Sequence, residues 1–284
     1  MSALLLATLL VLVPTPTPTP TPPAPLYFPV LANVPAWMNP GRTATPAPTA
    51  TDMRTTLRPD TQARLEAALL VPGALVLPAA GEYRGRAAMR VAAGVTLDGR
   101  GLVALRGSGL RIYGAEGATI RGVTITGAAT DAIELVHTKR ATIENVTLSS
   151  AADGLIDIIR VHGPGGLIVI RDSLLQGDDK CSLVGHFDRD GDEDARVLFE
   201  RVTFENCGAR TPKVHRARVT LVDCRIISWR SRAVDVQLGG HVDMRGTRFD
   251  EGPDSGPRIR LESGGTFVES GTLFIPFRPR FPVE

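Results

Sequence analysis

The chain has 284 residues, 43% of them apolar, and 32 basic against 30 acidic residues give a formal charge of +2. That is enough apolar residue for one large packed domain. The near balance of charge excludes a general affinity for nucleic acid or an anionic membrane, so any preference for acidic ligands has to be local. Cys181, Cys207 and Cys224 form neither a disulfide framework nor a metal-binding spacing and allow one pair at most.

In chain order, residues 1–54 differ in composition from the rest of the chain. SALLLATLLVLV (2–13) has the length of a signal peptide and is too short to span a bilayer comfortably, although no Lys or Arg precedes it. PTPTPTPTPPAP (14–25) and TATPAPTAT (43–51) then read as a stiff, extended tether. The expectation is a secreted or cell-surface protein with no stable membrane insertion after processing. An ordered domain should occupy 55–284. It opens with RPDTQARLEAALL (58–70), read as a helix with Asp60 as N-cap and with Leu65, Ala68 and Leu69 on one face.

Coils spanning about 74–275 come next, marked by a repeat. TIRGVTI (119–125), TIENVTL (142–148), VIRDSLL (169–175), LFERVTF (198–204), TLVDCRI (220–226), DMRGTRF (243–249) and FVESGTL (267–273) align one under another. Their second residues are Ile120, Ile143, Ile170, Phe199, Leu221, Met244 and Val268, at spacings of 23, 27, 29, 22, 23 and 24. Val, Ile, Thr and Phe dominate, Gly punctuates, and no helical period is sustained within the repeats. Each period is therefore a coil of short strands. The fold class is all-β: a single-stranded parallel β-helix whose open edge the 58–70 helix caps. Cys224 falls in the fifth slot with Val123, Val146 and Val202, as a small buried hydrophobe.

A second strand in each coil carries charge at its start: Asp131 in DAIEL, Asp153 in DGLIDI, Asp179 in DKCSLV and Arg210 in RTPKV, at spacings of 22, 26 and 31. Stacked coils would make these a column on one outer face. Asp153 and Asp157 share one apolar stretch, and unpaired carboxylates there need solvent, cations or a metal. For both to meet one ion the chain must bend between them, at Gly154. Carboxylate oxygens without His or Cys suit calcium rather than zinc. The aspartates of GHFDRDGDEDA (185–195) lack EF-hand spacing and read as a solvated acidic turn. The Asn145-Val146-Thr147 sequon falls in an expected strand.

Across residues 90–226 the chain resembles the pectate lyases of the pectate lyase/pectin lyase superfamily. VTLDGRG (95–101) and GATIRGVTI (117–125) carry the resemblance weakly; DGLIDI (153–158), DDKCSLVGHFD (178–188) and RTPKVHRA (210–217), in this order on consecutive coils, carry it more specifically. The resemblance implies a right-handed β-helix with Asp131, Asp153 and Asp157 as ligands of catalytic Ca2+. Lys180, Lys213 and His215 would contact substrate, and Arg210 would be the proton-abstracting base. Polygalacturonate or low-methyl pectin would be cleaved by β-elimination to 4,5-unsaturated oligogalacturonides, by a monomer. Lys213 and His215 replace the second and third basic residues of the family's RxPRxR motif, and Glu134 is a further candidate ligand. The alternatives are an inverting polygalacturonase, suggested by GDDK (177–180), a pectin lyase, which would replace the calcium carboxylates and line its groove with aromatics, and a non-catalytic polysaccharide-binding or structural β-helix.

Overall fold

The computed structural model describes residues 54–161, 165–177, 179–187 and 192–278. The leader and tether expected over 1–54 lie outside the described residues except for Arg54. No helix among the described residues is long and apolar enough to cross a membrane.

The strands stack in parallel as a β-solenoid of about nine turns. An eight-stranded sheet is built from Met89–Val91, Leu110–Tyr113, Ile133–Val136, Ile156–Ile159, Ser182–Val184, Lys213–His215, Val234–Gln237 and Ile259–Leu261. A 17-stranded sheet makes up the rest, in two ladders fused by the long strands Thr96–Arg106 and Ala118–Thr126. Like stacks on like inside. Leu97, Ile120, Ile143, Ile170, Phe199, Leu221 and Met244 are in register and fully buried. Ile125, Leu148, Leu175, Phe204, Ile226 and Phe249 form a second such row. Each of these side chains contributes about 1.5–3 kcal/mol of burial, which favours a regular period.

The helix is Gln62–Leu69, and Leu65, Ala68 and Leu69 are its buried residues, as expected. Its N-cap is Thr61, not Asp60: the Thr61 hydroxyl accepts from Arg64 N, while Asp60 forms an exposed ion pair with Arg64 at 2.7 Å. Two acceptors stand side by side in the sequence, and Thr61, with an extended backbone, takes the cap while Asp60 is engaged by Arg64.

The coil corners explain two further differences. The corner residue of successive repeats, in fourth place except in the last, where it is fifth, is left-handed: Gly122, Asn145, Asp172, Arg201, Asp223, Gly246 and Gly271, with φ between 50° and 63°. Gly, Asn and Asp tolerate this conformation best. Asn145 accordingly sits at an exposed corner between Arg140–Glu144 and Thr147–Ser149, not within a strand. In the last repeat Glu269, not Val268, pairs with Met244, and Phe274 pairs with Phe249. The corner glycine, not the apolar Val268, sets that register, and Val268 is 54% exposed.

Cys181 and Cys207 are joined, with Cα atoms 5.8 Å apart, linking neighbouring coils. Cys224 is free and buried, as its slot implied, and burial pushes its thiol up to about 12. Asp188 and Asp190 of the acidic run lie outside the described residues. Asp192 overturns the expectation of a solvated turn: it is fully buried, accepting from Val161 N at 3.0 Å and His186 N at 2.8 Å.

Candidate active site

The outer face of the eight-stranded sheet positions the candidate residues. In Ile156–Ile159, Ile156 and Ile158 point into the core, so Asp157 between them points outward. Register stacks Arg90, Arg111, Glu134, Asp157, Leu183, Lys213, Asp235 and Arg260 in one column. Glu134 and Leu183 on the flanking strands, with Arg210 nearby, leave Asp157 only 7% exposed.

Asp131, Asp153 and Asp157 converge because the chain bends before the strand. Asp153 and Gly154 precede Ile156, so the two carboxylates of DGLIDI are not held at the wide spacing of a straight strand. Gly154 N donates to Asp131 Oδ1 at 2.9 Å. A Cβ on Gly154 would stand 2.8 Å from Asp157 Oδ1 and 3.1 Å from Asp131 Oδ1, so the missing side chain leaves a gap between the two carboxylates. Asp157 Oδ1 is buried without a hydrogen-bond partner. Burial first, then repulsion from Asp153 and Glu134, raises Asp131 to about 6. Burial first, then repulsion from Asp131, raises Asp157 to about 7.

Cations close the other side. Lys180 Nζ lies 2.6 Å from Asp153 Oδ1, and Arg210 Nη1 lies 3.6 Å from Asp157 Oδ2. Arg210 holds a left-handed backbone at φ 61°, and its carbonyl accepts from Ser182 N at 2.7 Å. A bulky residue adopts that conformation at a cost of about 1–3 kcal/mol, so the neighbouring coil fixes where its side chain starts.

Beyond Arg210 the column becomes a polar network. Lys213 Nζ stands 3.8 Å from Asp235 Oδ2, and Arg232 Nη1 stands 3.6 Å from the same oxygen. Gln237 Nε2 donates to Asp235 Oδ1 at 3.0 Å and Glu262 Oε2 at 2.9 Å. Two carboxylate acceptors fix the amide, so Gln237 Oε1 faces His215 Nε2 at 3.2 Å and assigns the imidazole proton to Nε2. His215 Nδ1 is buried without a partner. Burial, then the charge of Lys213, lowers His215 to about 4; burial also lowers Lys213.

The structure thus brings together Asp131, Asp153, Asp157, Lys180 and Arg210, with Lys213 and His215 further along the coil that carries Arg210. His215 is 4% exposed, and its Nε2 faces Gln237 Oε1. Asp179 does not join the column. Its side chain is 79% exposed and pairs with Arg230 at 3.2 Å. Glu134 is engaged by Arg111 at 2.9 Å. Sequence reasoning missed Asp235, Gln237 and Arg111; the strand register relative to Asp157 and Lys213 would have pointed to each.

Among the described residues, no three His, Cys, Asp or Glu side chains form a ready-made metal site. The donor set nevertheless fits a hard divalent cation in kind. Its ligands are all oxygen, one buried carboxylate oxygen is orphaned, and Gly154 leaves the gap beside it. Asp131 and Asp153 open onto a groove of about 890 Å³ that continues toward the N-terminal coils.

No family model and no curated protein matches the chain. Solved structures do share its fold. A pectate lyase bound to hexasaccharide superposes with a TM-score of 0.66 at 13% identity, over 78% of this chain and 81% of that one. A polygalacturonate lyase fused with a self-assembling amphipathic peptide gives 0.65 at 13% identity, over 78% and 81%. Jun a 1, the major allergen from cedar pollen, gives 0.61 at 18% identity, over 81% of each chain. The chain therefore has the parallel β-helix fold of pectate lyases.

Proposed function

We propose that this chain is a calcium-dependent pectate lyase, cleaving polygalacturonate or low-methyl pectin by β-elimination outside the cell. The observation that carries the reading is the junction of Arg210 with Asp157 at 3.6 Å, where buried carboxylates on two coils meet cations on the next two. Calcium, when bound, would supply a positive charge that attracts a uronate carboxylate and acidifies the adjacent C5–H. Asp131, Asp153 and Asp157 are the residues that would hold it, with Asp157 Oδ1 the oxygen in need of a partner.

In this reading Arg210 takes that proton, and the electron pair left at C5 expels the 4-O glycosidic oxygen. A guanidinium is ordinarily protonated and a poor base, so the step requires surroundings that favour its neutral form. Lys180 on the preceding coil and Lys213 three residues further along the same coil supply positive charge beside it. They also neutralise the charge that develops on the uronate carboxylate. The Cys181–Cys207 pair supports an oxidising compartment, in keeping with the expected export. Hydrolysis would need the carboxylates of GDDK. Asp179 is turned to Arg230, which disfavours it, and Asp178 lies outside the described residues.

The test is ultraviolet absorbance of polygalacturonate incubated with the protein, with calcium and again with chelator. A calcium-dependent rise reports the unsaturated product of elimination. New reducing ends without that absorbance would mean hydrolysis, and neither signal would leave a binding or structural β-helix.

A further inference from the structure

The groove beside the acidic coils holds a second feature. Arginines on the outer surface mostly stand against a carboxylate: Arg121 with Asp98, Arg171 with Glu144, Arg201 with Asp172 and Arg225 with Asp250. Arg86 and Arg90 line the groove, are exposed, and enter no ion pair among the described residues. Arg111 lies between them and the acidic cluster. Its Nε is held by Glu134 at 2.9 Å, and its guanidinium sits 5.6 Å from the ring centroid of Tyr113. Tyr113 is 48% exposed and lines the same groove, braced edge-on by His137 at 5.2 Å.

Register fixes how far this patch is from the chemistry. Arg90, Arg111, Glu134 and Asp157 are on successive strands, so Arg90 starts about 14 Å from Asp157, three strand spacings of about 4.8 Å. That exceeds one sugar ring. A polymer running along the stack past Asp131 and Asp153 would reach Arg86 and Arg90 with a different unit from the one being cleaved. Unpaired guanidinium groups recognise carboxylates, and a half-exposed aromatic ring offers its face to the C–H face of a sugar.

We propose that this groove is a remote uronate subsite, in which Arg86 and Arg90 bind the carboxylate of an acidic sugar and Tyr113 stacks against its ring. The inference rests on the polyuronate lyase reading and adds to it a charge-reading contact several units from the scissile bond. It makes affinity depend on chain length and on the ester state of a unit that does not react.

The experiment is calorimetric binding of oligogalacturonates of increasing length, in the presence of calcium, to Arg210→Lys protein with and without Arg86→Ala/Arg90→Ala. The wild type is run in parallel on polygalacturonate by absorbance. With the subsite present, the double substitution weakens the longer oligomers about tenfold, leaves the shortest unchanged, and has little effect on methyl-esterified oligomers. Equal binding by both proteins at every length overturns the subsite while a wild-type absorbance signal keeps the lyase reading. An equal loss for esterified and free oligomers also overturns it, since charge would not be what is read. No binding at any length together with no absorbance removes both.

Discussion

The coils that carry Asp131, Asp153 and Asp157 and those that carry Lys213 and His215 share one sheet, one register and the same burden of buried ionisable groups. They resolve it differently. On the basic side the chain supplies the partners itself: Asp235 faces Lys213 and Arg232, and Gln237 links Asp235 and Glu262 to His215. On the acidic side, burial raises Asp131 to about 6 and Asp157 to about 7, and Asp157 Oδ1 has no hydrogen-bond partner. On the basic side the protein's own side chains pair the charges, whereas the acidic side is left needing positive charge. That asymmetry suits a site in which a bound cation and an anionic substrate complete the acidic half together.

Arg210 sits at the seam, so its removal should have the largest effect. Arg210→Ala is expected to lower the elimination rate on polygalacturonate by roughly 10²–10⁴, the range for a lost general base, while the circular dichroism spectrum stays unchanged. A variant that keeps its rate would move the base elsewhere. Asp157→Asn breaks the acidic half itself. Its folded value of about 7 lies above the ordinary 3.8, so the chelated protein loses stability as pH rises from about 4 through 7. At pH 8, Asp157→Asn should therefore melt higher than wild type in chelator, by on the order of 2–4 kcal/mol. It should also lose its activation by calcium. A lower melting temperature in chelator would mean that Arg210 satisfies Asp157 without help.

The gap at Gly154 sharpens the same contrast. Gly154→Ala places a methyl 2.8 Å from Asp157 Oδ1, tighter than real Cβ contacts, so the carboxylate has to turn aside. The calcium concentration for half-maximal activity should rise about tenfold, roughly the cost of one displaced ligand, with a smaller change in rate at saturating calcium. Unchanged calcium dependence would show that Asp157 and Asp131 do not share an ion across that gap.

Much of the fold was legible because the core repeats: Ile120, Ile143, Ile170, Phe199, Leu221 and Met244 announce a coil by type and spacing alone, and they do stack. The pattern failed at its end. An apolar residue one place off, Val268, imitated the core slot, while the left-handed corner marked by Gly246 and Gly271 kept the true count. The acidic cluster was legible as motif, since DGLIDI places its carboxylates on either side of a glycine bend. Asp235, Gln237 and Arg111 were not, because their meaning comes from strand register, which a sequence shows only once the coils are aligned to the residue. Asp60 and Thr61 show the limit at one cap, where adjacent acceptors could each serve and the structure uses Thr61.

The smallest expected effect probes the basic half. His215 is lowered to about 4 from 6.5, so the unfolded chain binds its proton first and stability is lost as pH falls from about 6.5 toward 4. Over the same interval Asp131 and Asp157 take up protons in the folded state and stabilise it, so in the chelated wild type the two halves oppose each other and the acidic pair masks the histidine. Asp131→Asn/Asp157→Asn removes the acidic contribution and should unmask the histidine: stability in chelator falls between pH 7 and pH 5, by about 2 kcal/mol. Adding His215→Gln should give a nearly flat profile, because glutamine does not titrate and can still bond Gln237. If the slope survives His215→Gln, another group on the sheet takes up that proton, and the network through Gln237 is not what keeps the imidazole neutral.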